Sequence, residues 1–314
     1  MALRIIFFGN SQSEFSNRHF HKLWQTPCDI MGVVDSPPSK RGSTNPMASS
    51  YQTFRNLAQE LGVPIYEPPS PNLSEFVADI DALNPDLFLA VGYTNILKAD
   101  ILSVPRILAV NFHASLLPAY RGKHPVFWCL RNGGRWSGLT VHVMDTGIDK
   151  GDILYQVRVR IRKSDTVTSL YDRIMNKSVD LVKQLIEDIE SNSLLRKVQD
   201  EDGASYYSSI TEEDFRLDWS ADAKQLRRWI AITPGKCYSE IDGRPVYFLD
   251  AEIVRTNNLS NPGEILYLGK TRGIISVGHG GISIRAVKLE NGDELLFPEL
   301  CRRQGLSQGD SIVV

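Results

Sequence analysis

Short apolar runs alternate with amphipathic helical segments through the first half of the chain. Residues 4–8, 30–34, 87–91 and 108–112 are apolar and too short for surface helices, so they predict buried strands. The segment 13–24 between the first two has helical periodicity. Strands that alternate with helices in this way are typical of a parallel sheet covered by helices.

The pattern changes after residue 191. Before it, residues 139–144 and 153–161 predict an antiparallel strand pair, and residues 166–191 predict one long helix. After it come a polar, acidic stretch, a helix at 221–230 and several short β-patterned runs separated by turns. We therefore expect an α/β domain at 1–205 with a Rossmann-like, mostly parallel sheet, and a smaller β-rich, OB-like barrel domain at 206–314.

Composition and charge exclude several classes of protein. A chain of 314 residues with 42% hydrophobic and 23% charged residues is typical of a two-domain globular protein. A net charge of −2 gives no bulk attraction to nucleic acid or to acidic membranes. We found neither a signal-peptide core nor an apolar run long enough to span a bilayer, and no cysteine pair has metal or redox spacing. We expect a cytoplasmic protein that binds no metal and no membrane, in an oligomeric state left open.

The densest group of polar, glycine and proline residues runs from Asn111 to Gly122 and is followed one strand later by an acidic loop that contains Asp149. Residues i and i+2 of a strand point to the same face, so the side chains of Asn111 and His113 can both contact one group of a ligand. Asn supplies a neutral donor, His exchanges a proton near neutral pH, and a carboxylate would keep the imidazole protonated and oriented. This set suits acyl transfer to an amine.

The string NFHASLLPAYRG at 111–122, with Asp149-Lys-Gly-Asp152 downstream, closely resembles the signature of the folate-dependent formyltransferases. That family includes methionyl-tRNA formyltransferase, glycinamide ribonucleotide transformylase and the sugar-nucleotide N-formyltransferases. The strand and turn LFLAVGYTNIL, the helix entry at Asp218–Ser220 and the β-rich C-terminal half are also similar to the longer members.

The resemblance implies a catalytic triad of Asn111, His113 and Asp149 that uses 10-formyltetrahydrofolate as co-substrate. It also implies that the pterin lies against the backbone of Asn95, Ile96 and Leu97 and against the loop from Asp145 to Asp149. We leave His142, on the strand before that loop, outside the catalytic set, because a packing role explains it equally well.

Four further residues are candidates for binding the substrate. Asn10 and Ser11 lie at the first strand-to-helix turn, where helix N–H groups can cradle a phosphate or the turn can line the cleft. Ser115 lies in the SLLP loop, and the fork of Arg121 suits an anionic group, although a structural salt bridge explains it as well.

The acceptor amine is the main open question. Residues 206–314 carry 13 Lys and Arg against 15 Asp and Glu, and the loop 35–50 has only Lys40 and Arg41 as cations. Phosphate contacts dominate polynucleotide affinity, so this balance disfavours a tRNA acceptor and favours a small amine such as a nucleotide-linked amino sugar or a natural-product precursor. Hydrolysis of 10-formyltetrahydrofolate, found in relatives that lack the triad Asn, and non-catalytic binding of folate are weaker hypotheses for this chain.

Overall fold

The computed structural model describes residues 2–37, 52–256 and 260–312 and divides the chain into two compact units. The first comprises residues 1–126, 136–160 and 168–208, and the second comprises 127–135, 161–167 and 209–314. The main division thus falls three residues after the expected boundary. The loop that carries Lys40 and Arg41 lies outside the described residues.

The first unit is built on a seven-stranded sheet with the order β3-β2-β1-β4-β5-β7-β8. Five neighbouring strands are parallel, and β7 runs antiparallel to both of its neighbours, which confirms the mostly parallel sheet and the antiparallel pair. A separate two-residue parallel ladder joins β6 to β9. The strands are β1 (Leu3–Gly9), β2 (Cys28–Asp35), β3 (Ile65–Tyr66), β4 (Leu87–Val91), β5 (Leu108–His113), β6 (Arg121–Gly122), β7 (Trp136–Val143), β8 (Ile153–Arg160) and β9 (Tyr206–Tyr207).

Helices flank this sheet where apolar residues recur at helical spacing. The first buries Phe15, Phe20 and Leu23, and the ring of Phe7 on β1 meets the ring of Phe20 edge to face at 5.0 Å. The helices are α1 (Glu14–Trp24), α2 (Phe54–Glu60), α3 (Ser74–Ala82), α4 (Ala99–Leu102), α5 (Pro125–Arg131), most of which belongs to the second unit, α6 (Val167–Ser178) and α7 (Leu181–Glu190).

The segment expected to form one long helix at 166–191 forms two. Residues 179 and 180 separate α6 from α7, and the amide of Val182 bonds the carbonyl of Val179, three residues back, instead of continuing the α-helical pattern. The apolar periodicity of the two helices is continuous enough to hide this break.

The second unit is β-rich, as expected, and its strands form two four-stranded antiparallel sheets, β10-β11-β16-β17 and β12-β15-β14-β13. The strands and helices are α8 (Ala223–Ile232), β10 (Tyr238–Ile241), β11 (Arg244–Phe248), β12 (Glu252–Val254), β13 (Ile265–Leu268), β14 (Gly273–Ser276), β15 (Gly281–Ile284), β16 (Ala286–Leu289), β17 (Glu294–Leu296) and α9 (Phe297–Arg303). One apolar core contains residues of both sheets and of both helices.

Two apolar segments of the second unit, 246–254 and 281–287, each pass from one sheet to the other. The carboxylate of Asp250, between β11 and β12, accepts hydrogen bonds from the amides of Arg285 and Ala286, where β15 gives way to β16. Both segments therefore turn at the same corner, which resembles the way strands change sheets in orthogonal packings.

Within the parts of the chain that the structure describes, no helix is both long enough and apolar enough to cross a membrane. Nor do those parts contain a group of three or more His, Cys, Asp and Glu side chains that could hold a metal ion.

Candidate active site

Two neighbouring strands, β5 and β7, supply three of the polar side chains at the site. Asn111 and His113 lie on β5, and their spacing of two places them on the same face of the sheet. His142 on β7 is directly opposite Asn111 in the antiparallel ladder. Residues opposite each other in such a ladder have neighbouring side chains, so the register itself brings Asn111 and His142 together.

Asp149 enters from the loop between β7 and β8. Its φ of 53° is in the left-handed region, which Asp tolerates better than most residues other than glycine. The amide of Gly122 on β6 donates to Oδ2 of Asp149 at 2.8 Å. That approach requires glycine, because Gly122 has a φ of 93° and an added Cβ would lie 2.2 Å from the carbonyl oxygen of Tyr207.

The three predicted catalytic residues converge. Nδ1 of His113 is 3.6 Å from Oδ2 of Asp149, and Nδ2 of Asn111 is 3.4 Å from Oδ1 of Asp149. His113 is buried, and its Nε2 lies 2.8 Å from the carbonyl oxygen of Tyr120. Because a carbonyl only accepts, this contact assigns a proton to Nε2 of His113.

The charges at the site follow from burial and from these contacts. Burial alone would raise the pKa of Asp149, but His113, His142 and the Gly122 amide together hold that pKa well below its ordinary value, so the carboxylate is ionised. Burial lowers the pKa of His113 below 6.5, and this effect outweighs the opposing influences of Asp149 and the Tyr120 carbonyl. This direction favours a neutral His113 with an unprotonated Nδ1 facing Asp149, whereas the sequence led us to expect an imidazole that Asp149 keeps protonated.

His142, which the sequence left outside the catalytic set, is part of the same cluster. Its Nε2 lies 3.3 Å from Oδ1 of Asp149 and 3.1 Å from Nδ2 of Asn111, and its Nδ1 lies 2.8 Å from the carbonyl oxygen of Val143. Asp149 is thus flanked by two histidines, one at each carboxylate oxygen. The sequence contains only a weak signal for His142, because its neighbour on β5 can be identified only when the pairing register of β5 and β7 is known.

The four candidate substrate-binding side chains all have partners within the protein. Asn10 accepts a hydrogen bond from the Gln12 amide, and the Ser11 hydroxyl donates to the buried carboxylate of Asp35 at 2.6 Å. Both residues therefore shape the β1–α1 turn, which does not support the expectation that they bind a substrate.

Ser115 and Arg121 are likewise occupied by the protein. The Ser115 hydroxyl donates to the Ala119 carbonyl at 2.7 Å. Arg121 is completely buried and forms an ion pair with Glu201 at 2.7 Å. Of the two explanations given for Arg121, this geometry favours the structural salt bridge, because the guanidinium is not exposed to a substrate anion.

The comparisons with known proteins agree with this chemistry. The formyl transferase family model matches residues 3–186, and the model of the formyl transferase C-terminal domain matches residues 209–305. The chain belongs to the formyl transferase family. It is an N-formyltransferase, and formyltetrahydrofolate is the donor that this family uses.

Relatives of this formyl transferase match along almost the whole chain. It is 30% identical to a methionyl-tRNA formyltransferase of Caldanaerobacter subterraneus, over 98% of this chain and 99% of the relative. It is 33% identical to one of Pseudomonas entomophila, over 98% of both chains.

Two solved structures share the fold at lower identity. WlaRD, a sugar 3N-formyl transferase crystallised with dTDP and 5-N-formyl-THF, has a TM-score of 0.66 and 19% identity, over 91% of this chain and 97% of its own. HypX from Aquifex aeolicus in complex with tetrahydrofolic acid has a TM-score of 0.61 and 18% identity, over 98% of this chain and 49% of its own.

The predicted pterin contacts of the formyl transferase lie in the loop after β4 and in the Asp149 loop. The Leu97 side chain packs in the apolar core, so it could offer a ligand only its backbone. Ile96 is 64% exposed, and its carbonyl accepts a hydrogen bond from Nδ2 of Asn72 at 2.9 Å. Asn95 is partly buried beside Tyr93.

Two features of these loops suit a flat heteroaromatic ring. Each loop exposes one large apolar side chain, Ile96 after β4 and Ile148 beside Asp149. The buried hydroxyl of Thr94 has no hydrogen-bond partner among the residues described. Asp145 is exposed, and its Oδ1 accepts from the Gly147 amide, so in this structure it caps its own turn.

Proposed function

We propose that this formyl transferase moves the formyl group of 10-formyltetrahydrofolate to a primary amine by the joint action of Asn111, His113 and Asp149. One observation carries the proposal. Two separate stretches of chain bring an amide, a neutral imidazole and an ionised carboxylate together, with the carboxylate within 3.6 Å of both other groups. In a set of this kind the amide donates a hydrogen bond and the imidazole accepts a proton. The imidazolium that results forms an ion pair with the carboxylate.

The roles follow from the atoms. 10-Formyltetrahydrofolate supplies the formyl carbon that the acceptor amine attacks. Nδ2 of Asn111, whose contact with Asp149 is long at 3.4 Å in the resting site, turns that N–H to the negative charge that develops on the formyl oxygen, a contribution worth about 10²–10³ in rate at comparable sites. Nδ1 of His113 takes up the proton that the attacking amine loses. The imidazolium so formed faces the Asp149 carboxylate, which stabilises it. It then gives the proton to N10 of the folate as the bond between N10 and the formyl carbon breaks, and tetrahydrofolate leaves.

For the acceptor, we propose the α-amino group of methionyl-tRNA. Relatives with that name match this chain over both family domains and over 98% of its length. The second unit also has a local cluster of cations on α8 and at the end of α5, comprising Arg131, Lys224, Arg227 and Arg228. The Arg228 Nε donates to the Arg131 carbonyl at 3.1 Å, which brings the two helices together. Such a cluster suits phosphate contacts.

A second candidate is a small amine, such as an amino sugar attached to a nucleotide. It is favoured by overall charge, because the second unit carries 17 Lys and Arg against 16 Asp and Glu. A nearly neutral unit needs the local cluster described above to hold a polyanion, whereas a small amine does not need it.

The test is to incubate the purified chain with 10-formyltetrahydrofolate and either initiator methionyl-tRNA or a panel of nucleotide-linked amino sugars. Conversion of the donor to tetrahydrofolate is followed by absorbance, and the formylated acceptor is identified by mass. We expect methionyl-tRNA to be formylated by the wild type, with a loss of about 10²-fold or more in His113→Ala.

The possible activities give different outcomes. Turnover with an amino sugar alone would overturn the tRNA acceptor and leave formyl transfer in place. Release of formate without any amine would indicate hydrolysis, and absence of turnover with every acceptor would refute the proposed function. As a further check on tRNA, Lys224→Glu should weaken tRNA binding and make it less dependent on salt.

A further inference from the structure

A buried hydrogen-bond network joins the backbone of the Asp149 loop to the last residues of the first unit. Its centre is Gln199, which is 6% exposed. The Gln199 Nε2 donates to the carbonyl oxygen of Asp149 at 2.8 Å and to that of Gly151 at 2.7 Å. Both protons of this amide are therefore committed to the loop that carries the catalytic carboxylate.

Arg121 fixes the orientation of that amide. Its Nε and Nη2 donate to Oε1 of Gln199 at 3.2 and 2.8 Å, so Oε1 faces the guanidinium and Nε2 faces the loop. The remaining donors of Arg121 go to the Glu201 carboxylate at 2.7 and 3.0 Å and to the Tyr206 hydroxyl at 2.6 Å. All five N–H groups of a completely buried guanidinium are thus used, and rotation of the Gln199 amide would break four hydrogen bonds.

The Asp149 loop needs such support. Asp149 has a left-handed φ of 53°, a conformation that the surrounding structure has to hold for a residue other than glycine. At Gly151 an added Cβ would lie 2.0 Å from the Val143 carbonyl, so the backbone there is already packed closely on β7. The Gly122 amide bonds the carboxylate of Asp149, and the Gln199 side chain bonds its main-chain carbonyl, so both the side chain and the backbone of Asp149 are held in place.

We propose that Gln199, oriented by Arg121, is a positioning residue that keeps the carboxylate of Asp149 in register with the imidazole of His113. The expected fall in kcat rests on the proposed function. The expected displacement of the Asp149 carboxylate from His113 rests on geometry alone. Gln199 lies 50 residues after Asp149, in a polar stretch that has none of the marks of a catalytic motif.

The test uses two replacements in the full-length protein. Gln199→Met removes both donors at similar size, and Gln199→Glu also removes both donors but keeps an acceptor for Arg121. For either we expect kcat to fall about 10- to 30-fold, with KM for the donor and the amine changed less than twofold, because the loss of two hydrogen bonds misaligns the site without removing binding groups.

Gln156→Met is the matched control. Gln156 is more exposed than Gln199, but its Nε2 likewise makes two hydrogen bonds, to the Leu117 carbonyl at 2.8 Å and to Oγ1 of Thr140 at 3.0 Å, and neither goes to the Asp149 loop. Because Gln156 is more exposed, Gln156→Met should lower the thermal midpoint by no more than the Gln199 variants do, and it should change kcat less than threefold.

The second readout does not depend on turnover. The pKa of His113 is measured by NMR titration of its imidazole protons in each variant. Asp149 raises the pKa of His113 in the folded protein, so a carboxylate that drifts away should let this pKa fall. We expect a lower pKa in both Gln199 variants and an unchanged value in Gln156→Met.

An unmoved His113 titration would overturn the inference even if kcat fell, since the loss would then be structural. It would equally be overturned if kcat in the Gln199 variants stayed within twofold of that of Gln156→Met. So would failure of both Gln199 variants to fold while Gln156→Met folds, because Gln199 would then hold the fold and not the carboxylate. A wild type without formyl transfer would refute the proposed function, and the titration would still decide the role of Gln199.

Discussion

Replacing Gly122 by alanine should damage the site by a route whose size can be worked out from the structure. An added Cβ would lie 2.2 Å from the Tyr207 carbonyl oxygen, whereas real Cβ contacts essentially never fall below 3.0 Å. The strand must therefore shift by about 0.8 Å, and this is enough to carry the 2.8 Å bond from the Gly122 amide to Asp149 beyond hydrogen-bond range.

A hydrogen bond to a charged group contributes about 1.5–3 kcal/mol, so Gly122→Ala should lower kcat by about 10- to 100-fold. The assay is steady-state formyl transfer, with the thermal midpoint measured in parallel. Gly62→Ala is the control, because Gly62 also has a left-handed φ, 69°, but an added Cβ there meets no atom within 4 Å.

Gly62→Ala should cost about 1–2 kcal/mol of stability from backbone strain alone and leave kcat unchanged. A Gly122→Ala enzyme whose kcat stayed within twofold of that of Gly62→Ala would refute the reasoning, because the Asp149 contact would then contribute nothing to the reaction.

Four further predictions concern the histidines and Asp149. His113→Ala and Asp149→Ala should each cut kcat by about 10²-fold or more, and the double variant should lose little beyond the worse single one, because the two act as a unit; additive losses in a double-mutant cycle would contradict this. Since burial lowers the pKa of His113 and the neutral form accepts the proton, the acid limb of kcat/KM should have its midpoint below pH 6.5, and a midpoint at or above 7 would argue against that role. His142→Ala should lower kcat about 10-fold, less than His113→Ala, since it removes one of several partners of the carboxylate; equal losses would place His142 in the chemistry itself. Burial lowers the pKa of His19 to about 4, so as the pH falls below 6.5 the unfolded chain takes up a proton at this residue before the folded chain does. Between pH 7 and 5 the unfolding free energy of the wild type should therefore fall by about 2 kcal/mol more than that of His19→Gln. Denaturant titrations measure both losses, and identical losses would contradict this prediction.

Features set by local periodicity were predictable from the sequence. Asn111 and His113 share a face because the side chains of a strand repeat every two residues, and that relation needs no knowledge of the rest of the fold. The strand pattern pointed to the acidic loop that meets them, and the resemblance to the formyltransferases singled out Asp149 within that loop. Its left-handed backbone and its contact with the Gly122 amide were not visible in the pattern.

Features set by long-range register could not be predicted in this way. His142 reaches the site because β5 and β7 pair with Asn111 opposite it, and nothing in either strand alone specifies that pairing. Gln199 was missed for a similar reason, since its partners are 48 to 78 residues away. The corner within 246–254 is hidden for the same reason, since the carboxylate of Asp250, which makes the corner, bonds amides 35 and 36 residues further along the chain.

The short ladder between Arg121–Gly122 and Tyr206–Tyr207 affects where the chain can be shortened. The N-terminal family match stops at residue 186, yet the residues that brace the catalytic loop extend to Tyr207. A fragment cut at that match would keep Asn111, His113 and Asp149 but lose the segment that holds the loop in place. We therefore expect a fragment that keeps the proposed site intact to end beyond residue 207, because the stretch from 187 to 208 belongs to the first unit and is not a spacer between two modules.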